Sequence, residues 1–172
     1  MTDLVATSSS ANLLYTLVEM KGPENSMEYL RNLQDHVVQY AKYLVTPLRT
    51  VASGEADVAI GNATDRWRYK KDNYPVRIVY PQDGTAVYLY GAGIMKDAVH
   101  RKEAEMFIHY CLSSEVKFLL EKNRYYYYFA GGDREKRKDD LENHLVIFPA
   151  LKQYTAPGKA AINNLWIDTV RF

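Results

Sequence analysis

The stretch VASGEADVAIG, Val51–Gly61, decides the fold class. Val51 and Ala52 finish a short helix that starts with Thr46 as cap and Pro47 at the first helical position. Proline suits that position because its missing N–H would have no partner there anyway. Gly54 stops the helix, and Ala56 to Ile60 form a short apolar run of strand type ended by Gly61. A helix, a breaker and a strand in such close succession point to α/β layers and away from a bundle or a sandwich.

Toward the N-terminus, Leu13, Leu14, Leu17 and Val18 recur at helical spacing until Gly22-Pro23 breaks the pattern. Asn25 and Glu28 have the spacing of a capping box for a second helix carrying Met27, Leu30 and Leu33. In the other direction, a helix is expected over about 64–71. Val76 to Tyr80 then reads as a strand between Pro75 and Pro81, with a turn at Gln82-Asp83-Gly84. Ala86 to Tyr90 and Ile94-Met95 read as further strands, with Gly91 and Gly93 allowing a bend.

From His100 the period becomes 3.6, with Ala104, Phe107, Ile108, Cys111 and Leu112 on one stripe. Ser113 or Ser114 caps the next helix, whose apolar residues are Val116, Leu119 and Leu120. An aromatic run, Tyr125 to Tyr128 with Phe129, leads to Gly131-Gly132 and a mixed-charge stretch to Asp140, expected as an exposed loop or helix end. Ile162, Leu165, Trp166 and Thr169 share a face near the C-terminus.

The chain has 172 residues, 47% of them apolar and 25% charged, with a formal net charge of +1. That is ordinary globular composition, with no overall field to draw nucleic acid or an anionic membrane. The lone Cys111 excludes an internal disulfide, a zinc finger and a CxxC redox pair. No apolar run approaches the ~18 residues of a membrane span, and Met1 to Ser10 lacks the pattern of a secretory signal.

No GxSxG elbow, HExxH helix, Walker A loop or GxGxxG turn is present, so the familiar enzyme signatures are missing. Glu55 and Asp57 bracket a strand entry and read as exposed flanks. Ser8, Ser9, Ser10 and Asn12 precede an apolar helix, where hydroxyls and unpaired N–H groups make a ready anion site. Asn62, Ala63 and Thr64 follow a strand and open a helix, the position at which open α/β sheets hold ligands. Arg66 or Arg68 offers charge-assisted hydrogen bonds to an anion.

The order of segments is informative. Val51–Gly61, Tyr74–Gly84 (YPVRIVYPQDG) and Ala104–Glu115 (AEMFIHYCLSSE) resemble, in order, three segments of bacterial extracellular solute-binding proteins of ABC importers. The nearest branch is the one labelled ferric-iron binding, which also contains binders of phosphorylated sugars. The resemblance implies a periplasmic-binding-protein-like (type 2) α/β fold, here the second lobe plus C-terminal elements of the first. Residues 1–78 would be the second-lobe segment. Residues 79–172 would be the hinge return and the mainly helical part of the first lobe. Complete members are longer, so most of the first lobe would lie outside this chain.

It also implies a non-enzymatic protein that captures a small solute outside the cytoplasm and presents it to an ABC permease. The candidate ligand residues are Ser8, Ser9, Ser10, Asn12, Asn62, Thr64, Asp65 and Arg66. The ferric binders carry a tyrosine pair after the strand, where this chain reads Asn62-Ala-Thr-Asp-Arg-Trp-Arg-Tyr69. An anionic solute such as a phosphorylated sugar is therefore expected ahead of iron, with no metal and no cofactor. Two other readings are a ferric-iron carrier and an enzyme acting on a phosphorylated metabolite. Without a first lobe, the stripe Phe107, Ile108, Leu112, Leu119 and Leu120, with Trp166, would face water and favour self-association of the chain.

Overall fold

Thr7 opens the first helix, α1 (Ser8–Lys21). Its backbone is extended, and its side chain accepts the Ser10 N–H at 3.1 Å while Ser10 Oγ accepts the Thr7 N–H at 3.1 Å. The serine run is therefore the first turn of the helix. The coordinates are a computed structural model that describes residues 1–65, 69, 73–123, 125, 148 and 154–171.

Gly22 ends α1 and starts α2 (Pro23–Gln34) with no loop between them. Its φ of 77° lies in the left-handed region, where a side chain would strain the backbone. Pro23 takes the first position of α2, so the expected Asn25–Glu28 capping box does not form. Asn25 instead donates its side-chain amide to Lys21 O at 2.9 Å. Proline wins the start because it gives up no hydrogen bond there. Ser26 is fully buried at the elbow, its Oγ 2.9 Å from Leu17 O and 2.6 Å from Gly22 O.

The residues before α1 lie beside residues 39–41. Thr2 and Ala41 form a parallel bridge, with Ala41 N–H to Met1 O and Asp3 N–H to Ala41 O both at 2.9 Å. Helix α3 (Thr46–Ala52) follows, with Pro47 in its first turn as expected. Its cap is Val45, and the Thr46 side chain makes no cap bond, because Thr46 is already helical.

The stretches Ala56–Ile60, Val76–Tyr80, Ala86–Tyr90 and Ile94–Met95 have strand-type sequences but form no ladder with one another or with other described residues. A strand exists only against a neighbouring backbone; beside the third stretch the Phe148 N–H reaches Thr85 O at 3.1 Å, and most residues around Phe148 lie outside the described ones. Ala63–Asp65 is a single 3-10 turn, and the helix expected over 64–71 falls mostly outside the described residues. The expected loop Gly131 to Asp140 and residues 126–129 of the aromatic run also lie outside them.

Helices α4 (Arg101–Cys111) and α5 (Ser114–Lys122) form a hairpin. Ser113 is the cap between them, accepting the Val116 N–H at 3.3 Å. Helix α6 (Ala156–Trp166) widens into a π turn over Ile167–Arg171. Ile162, Trp166 and Val170 join Leu14, Val18, Met27 and Leu30 in the core. Trp166 is fully buried, so its expected place on an exposed stripe is corrected. The α1–α2 pair presents the apolar face that receives it, and each such burial is worth ~1.5–3 kcal/mol. Phe107 and Leu112 on the hairpin are 65% and 55% exposed, as the stripe predicts.

Candidate functional site

A helix leaves its first four N–H groups without intrahelical acceptors. In α1 the local sequence uses two of them. Ser10 N–H goes to Thr7 Oγ1, and the Thr7 N–H goes to Ser10 Oγ, both at 3.1 Å. The amides of Ser8 and Ser9 find no acceptor among the described residues, and no acidic residue occupies the turn. Ser8 is exposed and Ser9 half-buried. Two free amides at the positive end of a fourteen-residue helix suit an anionic oxygen.

The hydroxyls divide the work. Ser10 Oγ is spent inside the cap, 2.9 Å from Thr7 Oγ1 and 3.0 Å from Thr7 O. Ser9 Oγ lies 3.3 Å from Thr7 Oγ1. Their side-chain partner is thus another hydroxyl residue, and among the described residues no imidazole or carboxylate hydrogen-bonds to either serine.

Asn12 stands one turn along from Ser8, on the same side of the helix. Its side-chain amide donates to Val87 O at 3.0 Å, tying residues 86–90 to the first turns of α1. The Tyr88 and Tyr90 rings in that segment meet edge to face, with centroids 4.9 Å apart. Asn12 is therefore a tether between two chain segments beside the free amides.

The second group of candidates belongs to the 3-10 turn. Asp65 N–H donates to Asn62 O at 3.1 Å, which closes the 3-10 turn. No hydrogen bond of Ser8, Ser9, Ser10 or Asn12 reaches Asn62 or Thr64. Arg66, together with Arg68, lies outside the described residues.

A groove of about 460 Å³ runs between α2 and the C-terminal helix, lined by Met27, Arg31, Leu165 and Thr169 among others. The Arg31 guanidinium faces Thr169 O at 3.4 Å. Glu24 and Glu28 also line it and oppose an anion there. None of the candidate residues lines this groove. The raised phenols lie at the edge of the core. Burial, then the hydrogen bond to Glu19 at 2.8 Å, pushes Tyr154 up to about 12. Burial also raises Tyr40, against the pull of Arg171.

Sequence reasoning missed Thr7 and Val87. Thr7 was readable as a hydroxyl residue three positions before another, at the edge of an apolar helix. Val87 acts through its carbonyl, which leaves no mark in a sequence.

Known proteins supply the wider frame. Residues 4–151 match the family model described as bacterial extracellular solute-binding protein. An uncharacterized protein of Haemophilus influenzae is 33% identical over 115 residues, covering 64% of this chain and 33% of that protein. The periplasmic binding protein AfuA from Actinobacillus pleuropneumoniae, solved with exogenous fructose-6-phosphate bound, is 25% identical. The match has a TM-score of 0.79 and covers 100% of this chain and 55% of AfuA. This chain thus spans about half the length of the solved relative and a third of the curated one. Its fold is that of part of a periplasmic binding protein, and the mainly helical character of the described residues fits such a part. The chain belongs to the bacterial extracellular solute-binding protein family.

Proposed function

We propose that this chain contributes one side of the solute site of an ABC importer's binding protein, and that the solute is a small organic anion such as a phosphorylated sugar. The observation that carries this reading is the pair of free amides at Ser8 and Ser9, on a helix start with no acidic residue. Ser8 Oγ adds a hydrogen-bonding group, and Asn12 holds the 86–90 segment beside the site. The fructose-6-phosphate held by AfuA is a ligand of the expected class. Capture would take place outside the cytoplasm, with delivery to a membrane permease.

Ser8→Pro tests the reading. Proline is tolerated at the first helical position, and Thr7 already has the extended backbone that a following proline demands. The variant keeps the helix but deletes an amide and a hydroxyl, while Ser8→Ala deletes only the hydroxyl. Calorimetric titration with fructose-6-phosphate should show binding that Ser8→Ala weakens and Ser8→Pro weakens further. A hydrogen bond to a charged group is worth roughly 1.5–3 kcal/mol, so the loss should be about tenfold or more. Equal affinity in Ser8→Pro and the parent, or equal affinity for fructose and its phosphate, overturns the reading.

A further inference from the structure

Tyr88 stands on the segment that Asn12 ties to α1. The residue before it, Val87, gives its carbonyl to the Asn12 side chain at 3.0 Å. Asn12 in turn lies one turn of helix from Ser8, a rise of ~6 Å along the axis. Residues two apart in a strand-type sequence share a face, and the Tyr88 and Tyr90 rings do meet, edge to face, with centroids 4.9 Å apart. In such a pair the ring that offers its edge keeps both of its own faces clear of the other. Tyr88 is 38% exposed and takes no part in the core cluster.

The chemistry of a phosphorylated sugar divides along the same line. Its phosphate calls for donors and positive potential, which the Ser8 and Ser9 amides supply. Its ring carries an apolar surface of C–H groups beside its hydroxyls, and an amide cannot recognise that surface. A tyrosine can, because it combines a flat apolar face with a polar tip. Two free amides alone would accept any phosphate ester. An aromatic ring tethered about one turn away adds what they lack.

We infer that Tyr88 is a specificity-determining residue of the solute site, its ring meeting the sugar part of a solute whose phosphate lies on the Ser8 and Ser9 amides. Asn12 is then a positioning residue that sets the spacing between the two halves. The inference rests on the anion-site reading given above and extends it from phosphate esters in general to those of sugars.

Calorimetric titration of the full chain with fructose-6-phosphate and with glycerol phosphate, an ester that has no sugar ring, tests it. Tyr88→Leu removes the aromatic face, whereas Tyr88→Phe keeps it and removes only the hydroxyl. Tyr88→Leu should weaken fructose-6-phosphate binding about fivefold, the effect of uncovering a small apolar patch, and leave glycerol phosphate binding unchanged. Tyr88→Phe should stay close to the parent for both esters, and Ser8→Pro should weaken both. Unchanged fructose-6-phosphate affinity in Tyr88→Leu, with Ser8→Pro still impaired, overturns the inference and leaves the anion site standing. An equal loss for both esters in Tyr88→Leu also overturns it, since the ring would then only support the helix start. A parent that binds neither ester overturns the anion site and this inference together.

Discussion

Arg171 Nε lies 3.1 Å from Asp3 Oδ2, and the same guanidinium sits over the Tyr40 ring at 4.3 Å from its centroid. One side chain near the C-terminus thus holds two segments from the N-terminal quarter. Both carboxylate and guanidinium are partly buried, which spares the pair some solvent screening. Arg171→Gln should lower stability by roughly 1–2 kcal/mol, combining a cation–π contact with an ion pair. Urea unfolding should show the midpoint of Asp3→Asn falling less, because the ring contact survives in that variant.

Trp166 is fully buried and edge-on to Tyr40, yet its indole N–H has no partner among the described residues. Trp166→Ala should cost roughly 3–5 kcal/mol, a large share of a domain's typical ~5–15 kcal/mol. Trp166→Phe should cost less than half as much, since it keeps an aromatic ring and removes an unpaired donor. Equal losses in the two variants would mean that the indole N–H is satisfied in solution.

The Tyr154–Glu19 bond makes a pH prediction. The folded-state value of Tyr154 is raised from 10.0 to about 12, first by burial and then by the carboxylate it serves. A raised value means that the contribution is fully present below pH 10 and is lost as pH climbs through about 12. Tyr154→Phe should therefore be less stable than the parent by roughly 0.5–1.5 kcal/mol at neutral pH. That gap should close between the two values, and the parent's phenolate absorbance should include one late-titrating tyrosine that the variant lacks.

Asn12 fastens residues 86–90 to α1 through a bond to Val87 O. Asn12→Ala should raise amide hydrogen exchange across 86–90 several-fold. The global unfolding midpoint should change little, because the core cluster does not include that segment. A matching loss of protection in α1 would show that the bond supports the helix as well.

The helices were legible where the signals were local. Gly22-Pro23 marked the break, Ser113 the start of α5, and the stripe at 162, 165 and 166 the face of α6. The proline rule that placed α3 at Pro47 would also have placed α2 at Pro23, but the Asn25–Glu28 spacing suggested a later start. Strand propensity at Val76–Tyr80 or Ala86–Tyr90 describes a side-chain pattern, while a ladder needs a partner backbone that propensity cannot supply. Periodicity showed that Trp166 belonged to an apolar face. It could not show that the face would meet α1 and α2, more than a hundred residues away. At the helix start, the serine run drew attention to the right turn, although the residue that organises it is Thr7.

The seating of α6 on α1 and α2 has a consequence for how the chain matures. On a ribosome adding ~5–20 residues per second, the first two helices wait on the order of ten seconds before their partner is made. During that interval Leu14, Val18, Met27 and Leu30 have no Trp166 to close over them. Closing so long a loop is entropically costly, which favours slow acquisition of the native state. The newborn chain therefore keeps an apolar face open until α6 emerges, and deleting α6 should leave a polypeptide that is made but does not reach the folded form.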